Sequence, residues 1–364
     1  MGAEHAATTS ETIRYGIIGT GMMGCEHILN ITLTPGAEVV AIADSNETSR
    51  GWGRSLAGAQ VEVYADHREL LRKARVDAVV IATPNFTHFE ILQDVFRTRV
   101  HVLVEKPLCT DVTHCRDLIA ATRRHAGIVW VGMEYRYLPA VSQLVTEIRR
   151  GTIGRLRMCA IREHRFPFLP KVDHWNRFNR NTGGTLVEKC CHFFDLMLLM
   201  TARRPTRVYA SGAQDVNHLD ERYAGETPDI IDNAYAVVDF DGGARALLDL
   251  CMFAENSRHE VEIAATGDRG KVEAFVPDHT LVVCQRHGAP PTTVTFELDP
   301  ALQGAGAHHG STFREHLAFQ QAIRTAGQSV VTVEDGAWAV AVGAAAEQSI
   351  REKRPVELSE MDFY

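Results

Sequence analysis

Residues 13–28 read IRYGIIGTGMMGCEHI: an apolar run, a glycine-rich turn and then helical spacing. Gly19-Thr20-Gly21-Met22-Met23-Gly24 sets GxGxxG between that strand and that helix. Glycine lets the backbone turn tightly and approach a pyrophosphate, whose charge rests on the helix N-terminus. The next apolar run, AEVVAIADSN, ends in Asp44, about 20 residues on, where a carboxylate accepts hydrogen bonds from an adenosine ribose and repels a 2′-phosphate. The stretch therefore predicts a dinucleotide held by Gly19, Gly21, Met22, Met23, Gly24 and Asp44, with NAD favoured over NADP. The plainer alternative is a glycine turn that serves helix–strand packing alone. Strand, turn, helix and acid standing in order argue against it.

Working outward, the rhythm repeats. DHRELLRKA reads as a helix, VDAVVIATPN as a buried strand, THFEILQDVFRT as a helix and RVHVLVEKP as a strand. TDVTHCRDLIAATRRHAG carries an N-cap and a glycine stop, and IVWVGMEY returns to strand. Alternation at this pace implies a parallel, doubly wound sheet, whose ligands sit at the carboxyl ends of its strands. ATPNFTH (Thr83, Pro84, Asn85, His88) and VEKP (Glu105, Lys106, Pro107) fall at such ends and complete the expected cofactor wall. A lysine after a strand is ordinarily a surface residue. Held beside a nicotinamide by a proline turn, it can fix a substrate hydroxyl and stabilise a developing alkoxide.

Beyond LPAVSQLVTEIRRGTIG the pattern changes to short alternating strands joined by turns such as Asp241-Gly242-Gly243, which predicts an antiparallel sheet with one open face. Two helices close the chain and are expected to touch both halves. The division reads as a disordered lead-in over 1–11, a dinucleotide-binding domain over 12–134 and a second domain over 135–364.

The chain has 364 residues, a formal net charge of −8 and no basic run beyond pairs such as Arg149-Arg150, so nucleic acid is not an expected partner. The first dozen residues lack the apolar segment of a secretory signal. No apolar stretch approaches the roughly 18 residues of a membrane helix. Eight cysteines without CxxC spacing read as reduced thiols of a cytoplasmic protein, and no metal site is expected.

GIIGTGMMG, TPNFTH, EKP, GMEYRYLPA, GTIGRL, GGTLVEKCCHFFDLM and VEDGAWAVAVGAAAEQS together resemble the Gfo/Idh/MocA oxidoreductases, over about Ile13 to Leu358. The resemblance implies an N-terminal Rossmann domain plus a C-terminal α/β domain with a large open, mainly antiparallel sheet. It further implies a homodimer or homotetramer built through that sheet. It also implies oxidation or reduction of a sugar or cyclitol hydroxyl with NAD or NADP. Lys106 matches the family's active-site lysine and His192 its catalytic histidine. Glu188 stands where aspartate is usual, and Glu134, Tyr135 and His164 match substrate contacts of inositol-dehydrogenase-like members. Cys190 replaces the usual glycine two residues before the histidine, and Lys189 follows the acid.

If residues 184–199 form one helix, Glu188, His192 and Asp195 share a stripe, and Gly183-Gly184 permits close approach of cofactor or substrate. His192, with an ordinary pKa of roughly 6.5, is then the general base; the alternative is a hydrogen-bonded core histidine. Glu188 orients the ring or binds a second hydroxyl, and Asp195 is structural. Lys189 is either a solvated flank or a contact to substrate. REHRFPFLPKVDHWNRFNRNTGG is a polar connector in which Trp175 can stack on a sugar ring, while His164, Lys171 and Asp173 can bond hydroxyls; covering a subunit edge is the alternative. GAHHGST brings His308 or His309, with His309 preferred, toward the pocket. The function expected is NAD-dependent oxidation of a secondary hydroxyl of a cyclic polyol, sugar or glycoside. The alternatives are reduction of a keto-sugar and redox-assisted glycoside cleavage with retained NAD.

Overall fold

A computed structural model describes residues 12–302 and 304–363. The expected lead-in over 1–11 lies outside the described residues. Six parallel strands, β1 (Ile13–Ile18), β2 (Ala37–Ala43), β3 (Glu62–Tyr64), β4 (Ala78–Ile81), β5 (His101–Glu105) and β6 (Val129–Gly132), form a sheet in the order β3-β2-β1-β4-β5-β6. Connecting helices α1 (Met22–Leu33), α2 (Glu47–Ala57), α3 (His67–Lys73), α4 (His88–Val95) and α5 (Val112–Thr122) alternate with the strands. Every residue of β4 is buried, as expected of a strand covered on both faces. Side chains of Asn46, Asp66 and Asp111 cap α2, α3 and α5, so each acceptor satisfies amides that a helix start leaves open.

After α6 (Pro139–Arg149) comes a nine-stranded sheet of β7 (Leu156–His164), β8 (Pro205–Ala213), β9 (Asn233–Phe240), β10 (Arg245–Cys251), β11 (Val261–Gly267), β12 (Gly270–Val276), β13 (Thr280–Gln285), β14 (Thr292–Thr295) and β15 (Val356–Glu357). All its pairings are antiparallel except β7 with β10. One face carries helices. The other leaves Met158, Tyr209, Tyr235, Val237 and Leu247 exposed, and no described residue covers them fully.

Between β7 and β8 lie three short helices, α7 (Asn179–Thr182), α8 (Thr185–Glu188) and α9 (Cys191–Thr201). The last two long helices, α10 (Ser311–Arg324) and α11 (Val333–Glu352), return to the first half. α11 packs on α8, α9 and β8 and also on α5 and β6. Its glycines allow this: a Cβ on Gly343 would stand 2.7 Å from the Leu186 carbonyl oxygen, and one on Gly336 would stand 3.0 Å from Val131. The halves are thus closely packed through α11.

Glu347 of α11 shows what that packing costs. Its Oε1 accepts from the Leu186 amide at 3.0 Å, and burial pushes its carboxyl up to about 7 against Leu186 and Arg351. A carboxyl raised on folding contributes stability that is full below about 4.5 and is lost as pH rises through about 7. Glu347→Gln keeps the acceptor without the charge. At pH 8 it is expected to unfold at higher temperature than the parent, by a free energy on the order of 3 kcal/mol, and the gap should close at pH 5. Melting curves at both pH values check this; equal curves at pH 8 would refute it.

Candidate active site

A cleft of about 880 Å³ runs between the halves, from Asp44 and Trp52 at one end to Lys106, Lys171 and Glu188 at the other. The glycines of the first turn divide the work that shapes it. Gly19 has φ +90°, and a Cβ there would stand 2.6 Å from the Ala82 backbone; a Cβ on Gly24 would overlap the Gly19 carbonyl oxygen. Neither lines the cleft. Gly21 does, and a Cβ there would meet nothing within 4 Å, so the space in front of it is open to a ligand. Met22 and Met23 line the same wall at the start of α1. Asp44 accepts from the Thr20 amide at 2.7 Å and the Asn46 amide at 2.8 Å, which fixes the carboxylate at the end of β2.

Thr83, Pro84, Asn85, Glu105 and Lys106 also stand on the wall. His88 does not. It is fully buried, with Nδ1 2.9 Å from the Pro107 carbonyl and Nε2 3.0 Å from the Thr83 carbonyl. It braces two cofactor-side turns instead of touching a ligand, which corrects its assignment to the wall. Glu105 takes the His27 ring at 2.9 Å and the Lys106 amide at 3.1 Å. Burial alone would raise its carboxyl; His27 and Lys106 bring it to about 2. The Lys106 ammonium donates to the Glu188 carbonyl at 3.3 Å. Burial works against its charge, but the surrounding Cys191, Glu134, Glu105 and Glu188 more than offset this and raise its pKa.

The second half supplies the opposite wall, with differences from the expected single helix. The chain breaks at Lys189–Cys190, ending α8 and restarting as α9, so Glu188 and His192 belong to different helices. Gly183 and Gly184 serve packing: a Cβ on Gly183 would stand 2.8 Å from the Thr110 carbonyl oxygen, and one on Gly184 would overlap the Glu347 carboxylate. Glu188 faces the cleft with Oε2 unpartnered, and burial raises its pKa against the pull of Lys171, Lys106 and Lys189. Lys189 turns away, its Nζ 2.8 Å from the buried Glu163 and over the rings of Tyr135 and Phe193. It is an internal counter-ion, neither a solvated flank nor a contact on the cleft wall.

His192 lies behind that wall, 2% exposed, with Nε2 3.4 Å from Glu134 Oε1 and its ring 4.7 Å from that of Tyr135. Nδ1 has no partner among the described residues. Burial first, then Lys106 and Lys189, hold its pKa well below the ordinary value, so the ring is neutral. Asp195 pairs with Arg136, whose Nε donates at 2.7 Å, and ties the Glu134–Tyr137 turn to α9. That pair sets Glu134 and Tyr135 against His192; neither of the two lines the cleft.

Strand parity removes His164 from the site. It stands on the open face, 3.0 Å from Asp249, while Glu163 points inward to Lys189. The signal was present: Cys159 and Ile161 are apolar and share the parity of Glu163. Trp175 lines the cleft with Lys171 Nζ 5.5 Å from its ring and Phe86 packed edge-on at 6.3 Å across the halves. His309 faces His279 at 5.1 Å; its neighbour His308 is the one directed at the site, with Nδ1 2.6 Å from Glu26 and Nε2 3.8 Å from Glu134. Sequence reasoning missed Glu26 and His27, which sit on the buried side of α1 directly after the glycine turn.

Among the described residues there is no group of three or more side chains suited to a metal, and no helix is long and apolar enough to cross a membrane. All eight cysteines are free thiols.

Residues 13–133 match the oxidoreductase family's NAD-binding Rossmann fold, and residues 145–358 match that family's C-terminal alpha/beta domain. The myo-inositol 2-dehydrogenase of Thermotoga maritima is 27% identical over 96% of this chain and 99% of its own. The scyllo-inositol 2-dehydrogenase (NAD(+)) of Bacillus subtilis is 24% identical over 95% of this chain and 96% of its own. A probable dehydrogenase of Thermotoga maritima superposes with a TM-score of 0.78 at 26% identity, over 96% of this chain and all of that one.

Proposed function

The chain belongs to the Gfo/Idh/MocA family of oxidoreductases, and from that premise we propose that it oxidises a secondary hydroxyl of a cyclic polyol, sugar or glycoside with NAD. The observation that carries this is the meeting of Lys106 from one half and Glu188 from the other at one end of a cleft whose far end is Asp44. The walls fit a dinucleotide: Gly21 leaves open space at the start of α1, and Met22, Met23, Asp44, Thr83, Pro84, Asn85 and Glu105 would hold it, with Lys106 beside its reacting end. When bound, NAD supplies the hydride acceptor.

The protein's part is to bind, orient and deprotonate. The Lys106 ammonium is charged, half-buried on the cleft wall and preorganised, so it stabilises negative charge growing on the substrate oxygen. His192 stands directly behind the Lys106–Glu188 end of the cleft and is neutral, which makes it the proposed acceptor of the hydroxyl proton. Glu188 and Lys171 accept and donate to further hydroxyls, with Trp175 as an apolar platform. The related inositol dehydrogenases support the substrate class. Turnover of inositols, hexoses and glycosides, followed as NADH formation, tests the reading; no reaction with any of them would overturn it.

Asp44 supports NAD over NADP by like-charge repulsion toward a 2′-phosphate. Asp44→Ser is expected to raise kcat/KM for NADP relative to NAD by about tenfold or more. An unchanged ratio in paired assays would remove Asp44 from this role.

A further inference from the structure

We propose that Glu134 and His308 form the path by which a proton leaves His192 for bulk water. The inference rests on the reading of His192 as the base. Each oxidation breaks an O–H and a C–H bond; the hydride goes to NAD and the proton to the imidazole. The ring must shed that proton before the next turnover, yet its side chain is only 2% exposed.

Among the described residues, its charged surroundings leave one outlet. Lys106, Lys189 and Arg165 are cations and accept nothing. Glu188 makes no ion pair with the ring among the described residues. Glu134 remains, with Oε1 3.4 Å from His192 Nε2 and the same oxygen 3.8 Å from His308 Nε2. One carboxylate oxygen therefore faces two imidazoles. Glu134 is itself buried, its side chain 5% exposed, whereas that of His308 is 30% exposed in a loop whose Gly306 and Ala307 are at the surface. Accessibility rises along the three groups.

A second chain of buried groups starts nearby and serves as a contrast. Glu105, His27 and His316 are linked at 2.9 Å each, but His316 is fully buried in α10, so that chain leads nowhere. Its geometry is tighter and its function is bracing.

Proton affinity also runs in the outward direction. His192 is depressed by burial and by Lys106 and Lys189. Burial raises Glu134, with Glu105 adding to the rise and His308 and Lys106 opposing it, so that it holds a proton in transit more readily than an exposed carboxylate. His308 is raised in spite of burial by Glu26, Glu134 and Glu105. In the transfer, the Nε2–H bond of the His192 imidazolium breaks as an O–H bond forms on Glu134. That bond breaks in turn as His308 Nε2 takes the proton and passes it to water or a buffer base. No electrons move in the relay. The two gaps slightly exceed hydrogen-bond length, and rotation of the Glu134 carboxylate or one bridging water closes them.

The test uses the full-length enzyme with NAD and a substrate it turns over. His308→Gln is expected to lower kcat about tenfold or more in dilute buffer with little change in KM, and added imidazole should restore it while leaving the parent unaffected. Glu134→Gln should lose rate without rescue, because the missing group is buried. Melting temperature and NADH binding report on folding, and an infrared titration of the ligand-free protein should show a carboxyl band that Glu134→Gln removes and His308→Gln shifts. Full kcat in His308→Gln, or a loss that imidazole does not restore, overturns the relay. Turnover surviving in His192→Asn overturns the base reading instead, whereas a dead His192→Asn beside an unimpaired His308→Gln refutes only the relay.

Discussion

Lys106→Met is expected to cut kcat by about 10³-fold while leaving NAD affinity within about twofold. Methionine keeps an unbranched apolar stem like that of lysine and lacks the ammonium. That ammonium is half-buried at the end of the cleft, donating to the Glu188 carbonyl at 3.3 Å with Glu105, Glu134 and Glu188 nearby. Loss of one preorganised donor to an oxyanion costs about 10²–10³ in rate, and a charged donor out of water lies toward the upper end. Dinucleotide binding rests on the turn at Gly21 and on Asp44, at a distance along the cleft, so it should persist. Stability should hardly fall, because a buried charge carries a desolvation cost that disappears with it. Steady-state rates and titration of protein fluorescence with NADH separate the two quantities. Undiminished turnover, or lost binding with residual activity, would contradict the role assigned to Lys106.

His192→Asn should lower kcat by about 10²–10⁴-fold, the range that a positioned proton acceptor supplies. Asparagine is polar but takes up no proton near neutrality, so the chemistry should be lost while a melting curve close to the parent's shows the fold retained. The pH dependence follows from the direction of the shift. Burial and the nearby Lys106 hold the His192 pKa well below 6.5, so the ring of the free enzyme is already unprotonated at neutral pH. The acid limb of kcat/KM should therefore lie below pH 6.5 in the parent, with the plateau extending through neutrality, and it should vanish in the variant. A limb at or above pH 6.5 that survives the substitution would assign the base to another group.

The fold was legible because its determinants are local. A buried parallel strand needs an unbroken apolar run, and a turn against a helix needs glycine where a Cβ would strike backbone, as at Gly24. Both requirements are written in a few consecutive residues. The same clarity failed around residues 183–192. Two glycines there looked as though they made room for a ligand, but they make room for Thr110 and Glu347, which no local pattern connects to them. The helix expected over 184–199 is interrupted where Lys189 turns inward to reach Glu163. Hydropathy cannot show that a lysine has a buried partner on another strand.

By itself the sequence determined the alternating α/β architecture, the dinucleotide turn with its acid, the family, and the two residue types, lysine and histidine, that oxidation of a hydroxyl needs. The tertiary structure alone decided which ionisable groups face the cleft and which face one another. It turned His164 outward and Glu163 inward, gave His88 a bracing position and brought His308 in place of His309 to Glu134. The reason is the range of the forces. Backbone preference and apolar periodicity act over a few residues, while the energy of a buried charge is set within about 4 Å by groups from distant segments, and only the completed fold supplies those neighbours.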